Sequence, residues 1–195
     1  MKSFVNIVVE GDLDEAVLKK IMGLLEIEVA RVYGKKGKDY SKEKITGYNK
    51  AAEHSKWIVL VDLNNKFECA PILIKSYLPK PSFNLQFRVA VREVEAWLLA
   101  DRESMAQFLK VSLDKIPSYP EEKDDPKMVL INIAQHSRSS SIREDIVPAT
   151  GSTAKIGRAY NSRLTEFVIN HWNPDHAADY APSLKRALNR LSEWI

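Results

Sequence analysis

A chain of 195 residues, 45% hydrophobic and 28% charged, is long enough to bury one substantial core, alone or with a helical extension, and has the composition of an ordinary globular protein. No apolar run approaches the roughly 20 residues that span a bilayer, the start MKSFVNIVVEGD carries no signal-peptide cleavage pattern, and the single cysteine, Cys69, excludes an intrachain disulfide framework. The expectation is a cytoplasmic protein with no membrane association. A net charge of +3 is too mild to define a nucleic-acid binder, so the distribution of charge says more than its sum. Lys35, Lys36, Lys38, Lys42 and Lys44 fall in one segment, and Arg138, Arg143, Lys155, Arg158 and Arg163 recur later. Solvated surface is the plain reading of both, and a polyanion held by its phosphates is the functional one.

In chain order, Ser3 to Val9 reads as a buried strand that ends in Glu10-Gly11-Asp12-Leu13-Asp14. Asp14 to Leu25 then sets Ala16, Val17, Ile21, Leu24 and Leu25 at helical spacing. Glu28 to Tyr33 is a second strand, followed by a polar loop from Gly34 to Ser41 and a helix over Lys42 to His54 interrupted near Gly47. Trp57 to Val61 is a strongly apolar third strand ending in Asp62, and Cys69 to Tyr77 a helix closed by Pro79-Lys80-Pro81. Phe87 to Val91 makes a fourth strand, and Glu93 to Ala100 a helix with Val94, Trp97 and Leu98 on its apolar face. This alternation predicts an α/β class with a mostly parallel, Rossmann-like sheet of about four strands flanked by helices. Beyond Asp101 the pattern is helical: Arg102 to Leu109, Lys127 to Gln135, Thr153 to Trp172 and Pro182 to Trp194, with a proline-bearing loop from Ile116 to Pro126. The expected organisation is an α/β domain over 1–101 and a helical extension over 102–195 packed on it.

Three strand ends thus present acids or their relatives: Glu10 with Asp12 and Asp14, Asp62 with Asn64, and Glu93 with Glu95. In a parallel sheet these ends lie along one edge, where open α/β folds build their ligand sites. Asp12 has a plainer reading as a helix N-cap, with Asp14 and Glu15 favoured by the helix dipole, but that leaves Glu10 unexplained. Hard divalent cations take one or two carboxylates and complete their shell with water and substrate phosphate, so such an edge suits Mg²⁺ or Mn²⁺. In phosphodiester chemistry the ion polarises the phosphoryl oxygen, lowers the pKa of an attacking water and stabilises the leaving oxygen.

A strand ending VVEGDLD, then helix, strand, helix and a strand ending VLVDLNN, resembles the Toprim domain of topoisomerases, primases and the overcoming-lysogenisation-defect nucleases. The likeness covers about the first half of the chain. FRVAVREVEAWLLAD and PSYPEEKDDPK extend it to an uncharacterised bacterial family of Toprim-like proteins, whose relatives accompany ATPases in phage-defence or mobile-element operons. The resemblance implies that Glu10 is a metal ligand or general base and Asp62 the principal metal ligand. Asn64 departs from the second aspartate of the family's pair; it keeps an oxygen donor and loses a charge. Asp14 and Glu93 are candidate secondary ligands. Glu95, two residues from Glu93 on one helix, is expected to point elsewhere and to pair with Arg92 or Arg88 or face solvent.

Lys36, Lys38 and Arg92 are candidates for phosphate contact. Arg88 can serve the same role or pair with Glu93 or Glu95. Ser152-Thr153-Ala154-Lys155 reads as a helix start with Ser152 as cap, either a plain surface helix or a phosphate site. His171-Trp172-Asn173-Pro174-Asp175-His176 matches no strong zinc spacing; Trp97, Trp172 and Trp194 read as helix-packing residues, and Cys69 as buried or inert. No GxGxxG, GxxxxGK[ST] or GxSxG motif follows a strand. The leading expectation is a metal-dependent phosphodiester hydrolase acting on nucleic acid. The rivals are a non-catalytic interaction module working with a partner ATPase and a small-molecule phosphotransferase.

Overall fold

The computed structural model describes residues 3–64 and 68–194, with the side chain of Lys38 outside the described set. Backbone contacts divide the chain into two compact units, Met1–Val91 with Arg186–Ile195, and Arg92–Lys185.

The first unit runs β1 (Phe4–Val9), α1 (Asp12–Leu24), β2 (Glu28–Gly34), α2 (Lys38–Ala51), β3 (Lys56–Asp62), α3 (Ala70–Tyr77) and β4 (Leu85–Ala90). The four strands form one all-parallel sheet in the order β2-β1-β3-β4. Strand position follows composition. FVNIVV and WIVLV are near-continuous apolar runs, as central strands covered on both faces require, and Ile7, Val8, Val9 and Ile58 to Val61 are fully buried. EVARVYG carries an arginine and lies at the edge, where no residue of the strand is fully buried. One apolar layer unites Val8, Trp57, Val59, Val61, Leu85, Phe87 and Val89 with Ile45 of α2 and Leu73 and Tyr77 of α3. Tyr33 and Tyr48 pack on Trp57 with ring centroids 4.9 and 5.4 Å away. α2 begins a turn earlier than the sequence predicts and runs through Gly47 without a break. That glycine sits on an exposed side of the helix, and the lower helix propensity of one residue is a cost of about 1 kcal/mol rather than a stop.

The second unit contains α4 (Val94–Ala100), α5 (Arg102–Leu109), 3₁₀ turns at Leu113–Lys115 and Pro120–Glu122, α6 (Pro126–Gln135), α7 (Ser140–Ile146), α8 (Tyr160–Asn170) and α9 (Pro174–Ala178); α10 (Pro182–Ser192) crosses the boundary at Arg186. Every residue of α4 is buried, and the helix packs against α6, α9 and the Pro120–Glu122 turn. A helix buried on all sides belongs at the centre of its unit. That is why α4, grouped by the sequence with the sheet, is the axis of the helical part. Trp97 Nε1 donates to Ser183 Oγ at 2.7 Å, Ser183 Oγ donates to Glu121 Oε1 at 2.6 Å, and Trp172 Nε1 donates to the Trp97 carbonyl at 3.2 Å. Trp97 and Trp172 are core residues, as their spacing predicts.

The helix expected from Thr153 is shorter and starts at Tyr160. Residues 152–159 are irregular because their backbone is tied to the end of α7. The Gly157 N–H donates to the Ile146 carbonyl at 3.0 Å and that of Ala159 to the Asp145 carbonyl at 3.0 Å. These bonds satisfy carbonyls that a helix end leaves open. A Cβ on Gly157 would lie 2.3 Å from the Asp145 carbonyl oxygen, so only glycine allows the approach. No helix opens at Ser152, whose hydroxyl accepts from the Ala154 N–H in a local turn, and the phosphate site imagined there has no helix terminus to stand on. Among the described residues, no helix is long and apolar enough to cross a membrane.

Candidate functional site

The strand order places the site before any side chain is considered. From β1 the chain moves to one side to form β2, and from β3 to the other to form β4, so the topological switch point lies between β1 and β3. Ligands of open α/β sheets bind in the crevice beyond the carboxyl ends of the strands at such a point. β1 and β3 pair directly, with Ile7 opposite Ile58 and Val8 opposite Val59. Glu10 follows the last residue of β1, and Asp62 is the last residue of β3 on the sheet face opposite Val61. Both side chains are half-buried.

Around Glu10 the backbone is closely built. Gly11 is the N-cap of α1, and its N–H donates to Asp14 Oδ2 at 2.8 Å. Asp14 therefore spends one oxygen on the helix start and is 7% exposed. Asp12, expected to be the cap, is the first helical residue, and its carboxylate meets Lys35 Nζ at 2.6 Å, with Glu15 on the same ammonium at 2.8 Å. Burial raises the Glu15 carboxyl, but the hydrogen bonds of Lys19 and Lys35 outweigh it and hold the group below its ordinary value. Lys35 is held above its own by Asp12 and then Glu15. The loop after β2 closes over the end of β1. Gly34, Lys35 and Gly37 all have positive φ, the Lys35 N–H donates to the Val9 carbonyl and the Gly37 N–H to the Glu10 carbonyl, and a Cβ on Gly34 would lie 2.2 Å from the Val9 carbonyl oxygen. Lys36 is exposed, with Nζ 5.1 Å from the Tyr40 ring centroid. The side chain of Lys38 lies outside the described residues.

At the end of β3 the Leu63 N–H continues the ladder to the Ala90 carbonyl at 2.9 Å, and Asn64 turns the chain at φ 56°. Asparagine is among the few non-glycine residues that tolerate this left-handed conformation. The asparagine that departs from the Toprim pattern thus has a backbone role. A residue that the motif reading did not single out also belongs here. The Tyr77 hydroxyl is pushed up to about 12 by burial, then by the charges of Glu10 and Asp39, and Lys42 Nζ lies 5.4 Å from its ring. Nothing in the sequence of α3 marks Tyr77 apart from an ordinary core tyrosine; the sheet topology brings it to Glu10.

Glu93, Glu95 and Arg92 belong to the second unit. Glu93 is the N-cap of α4 with an extended backbone, so the helical argument that sends it and Glu95 in different directions does not apply. Both reach Lys127, at 3.6 Å and 3.3 Å. Glu93 Oε2 also accepts the Lys127 N–H at 3.2 Å, and Glu95 Oε1 accepts from the buried Tyr160 hydroxyl at 3.0 Å. Glu95, only 2% exposed, pairs with neither Arg88 nor Arg92 and does not face solvent. Arg88 donates to Gln86 and is lowered by burial, then by Arg190. Burial, then the charge of Glu95, raises the Glu93 carboxyl, and burial, then Glu95, raises Tyr160. Lys127 stands one residue after the Asp125-Pro126 helix start, a signal legible in the sequence; Tyr160 had none. Cys69 is half-buried as the N-cap of α3. In the histidine-bearing segment, Asn173 Oδ1 caps α9 by accepting from Asp175 and His176.

Among the described residues, no group of three or more histidine, cysteine, aspartate or glutamate side chains is arranged to hold a metal ion. Fold and site define an α/β protein with an all-parallel four-stranded sheet and acids beside its switch point. Compared with known proteins, the chain significantly matches no family model, no curated protein and no solved structure.

Proposed function

We propose that this protein is a Toprim-like, metal-dependent phosphodiester hydrolase acting on nucleic acid, with Glu10 and Asp62 as its principal acids. One observation carries the reading: two carboxylates flank the switch point of a parallel sheet, at the ends of the directly paired β1 and β3. The donor types suit a sparse site. Two carboxylate oxygens with water and substrate phosphate are what Mg²⁺ ordinarily takes, and Mn²⁺ accepts the same hard ligands. Glu10 and Asp62 would hold the ion. Asn64 can add a neutral oxygen, whereas Asp14 is engaged in the cap of α1 and Glu93 stands with Lys127 in the other unit. A bound divalent ion supplies charge neutralisation at the phosphoryl oxygens and a more acidic attacking water. Glu10 is also placed to accept a proton, and Tyr77, kept neutral by burial and by Glu10 itself, can donate a hydrogen bond to a phosphate oxygen. Lys36 and Lys42, both exposed on the loop and helix beside this edge, supply the positive surface that a polyanion requires.

The test is cleavage of single-stranded, duplex and supercoiled nucleic acid with Mg²⁺ or Mn²⁺. The expected result is activity that falls at least a hundredfold in both Glu10→Gln and Asp62→Asn; activity indifferent to both refutes the site. A second reading rests on the left-handed backbone of Asn64. An asparagine chosen for the turn rather than for its oxygen suits a non-catalytic module that binds a partner such as an ATPase, and a stable partner complex without cleavage would favour it.

A further inference from the structure

The helical unit carries a polar cavity of about 490 Å³ between α5, α7 and α8. Through Gln107 and Lys110 it adjoins a second hollow of about 530 Å³ that includes Arg138. Its volume is within the usual range for small-ligand pockets, roughly 300–1,000 Å³. One wall is aromatic: Phe108 and His171 lie with ring centroids 5.7 Å apart, and Phe167 backs both from the core. Gln107 and Asn170, both exposed in the lining, bring amide groups able to donate and accept at the edge of a heteroaromatic ring.

The charges are unevenly spent. Arg163 is taken by Asp145 and Glu166, each at 2.8 Å, which also neutralises Glu166 in this cavity's lining, while Glu103 lines the adjoining hollow. Lys110 and Arg138 make no ion pair among the described residues. They are held side by side, because the Lys110 carbonyl accepts from the Arg138 backbone and from Arg138 Nε. Lys110 itself is fixed in a left-handed conformation at the end of α5, at φ 52°. The hydroxyls of Ser139 and Ser141, 3.0 Å apart, line the cavity with Lys110. Lys110 and two hydroxyls share this cavity with the aromatic rings and amides, and Arg138 lines the adjoining hollow; together they match a ligand with an anionic head and a flat polar ring.

From this juxtaposition we propose that the cavity and the hollow beside it together bind a nucleoside monophosphate unit, with phosphate where they adjoin, at Lys110, Arg138 and Ser139, and base against Phe108 and His171. The site lies wholly in the second unit, shares no residue with Glu10 or Asp62, and does not depend on the hydrolase reading.

The experiment is calorimetric titration of the full chain, in buffer with a metal chelator, with adenosine 5′-monophosphate, adenosine, inorganic phosphate and a 5′-phosphorylated thymidine decamer. Saturable binding of the monophosphate is expected, at least tenfold tighter than adenosine or phosphate alone. Lys110→Gln and Arg138→Gln should each weaken it at least tenfold with an unchanged circular dichroism spectrum. His171→Ala should weaken the monophosphate and leave inorganic phosphate unaffected. Binding of the monophosphate without the decamer identifies a free nucleotide as ligand; equal binding of both identifies the end of a strand. No binding of either, or binding unchanged in the Lys110 and Arg138 variants, overturns the proposal. Such a failure leaves the cleavage assay untouched, since no metal and neither strand-end acid takes part.

Discussion

In the α/β unit the two leading acids stand where strands stop, while in the helical unit a set of polar residues lies inside. Glu10 and Asp62 are half-buried beside the switch point of a sheet whose central strands are apolar. Glu95, Asp101 and Ser183 are buried within the helical unit, and each is tied to a distant element: Glu95 to Tyr160, Asp101 Oδ2 to the Asn173 N–H at 2.7 Å, and Ser183 to Trp97 and Glu121. Ends of strands can exchange ligands with solvent at little structural cost. Buried polar groups must be satisfied by the protein itself, and their bonds fix which helices meet. The difference separates residues whose substitution should alter function from those whose substitution should alter the fold.

Trp97→Ala breaks that comparison most severely if it is wrong. It empties the centre of α4 and removes the donor to Ser183 Oγ, so a loss of about 4 kcal/mol is expected in chemical denaturation; a loss under about 1 kcal/mol would mean that α4 is not the axis of the helical unit. Next comes Gly34→Ala, which forces a methyl group onto the Val9 carbonyl at positive φ and should cost on the order of 2–3 kcal/mol by the same measurement. It tests whether the loop after β2 is built as closely over β1 as the structure indicates.

The smallest effect sharpens the contrast through pH. Glu93 has a folded-state pKa above its ordinary value of 4.5, from burial and the charge of Glu95. The folded protein therefore favours the protonated form. That contribution is complete below the unfolded value and is lost as pH rises through the raised folded one. Glu93→Gln, which imitates the protonated side chain, should melt about 1–2 °C higher than the parent protein at pH 8 and no higher below about pH 4. A gain that persists unchanged in acid would contradict the assigned cause.

Much of the α/β unit was legible because its determinants are local. Apolar runs bounded by glycine, proline and acids fix four strands, and the alternation with helices fixes a parallel sheet. Strand ends, and with them Glu10 and Asp62, follow directly. The sequence reads Asp12 as the cap because a cap and a first-turn acid differ by one residue, and it is the extended backbone of Gly11, with its N–H held by Asp14, that separates them. Tyr77 was missed because its approach to Glu10 is a product of sheet topology. The helical unit was less legible for the same physical reason throughout. A buried carboxylate such as Glu95 looks in sequence like a functional acid or a solvated one, and its partner Tyr160 lies 65 positions away. The long helix expected from Thr153 failed because backbone bonds to α7, made possible by Gly157, hold residues 152–159 out of helical form.

The central claim is that the two acids at the switch point hold a divalent ion, and calorimetric titration of Mn²⁺ tests it most directly. The account predicts binding to the parent protein that weakens by at least about tenfold in both Glu10→Gln and Asp62→Asn, and that is unchanged in the exposed charge control Glu53→Gln. Mn²⁺ binding that all three variants retain equally, or no binding by the parent protein, would contradict it.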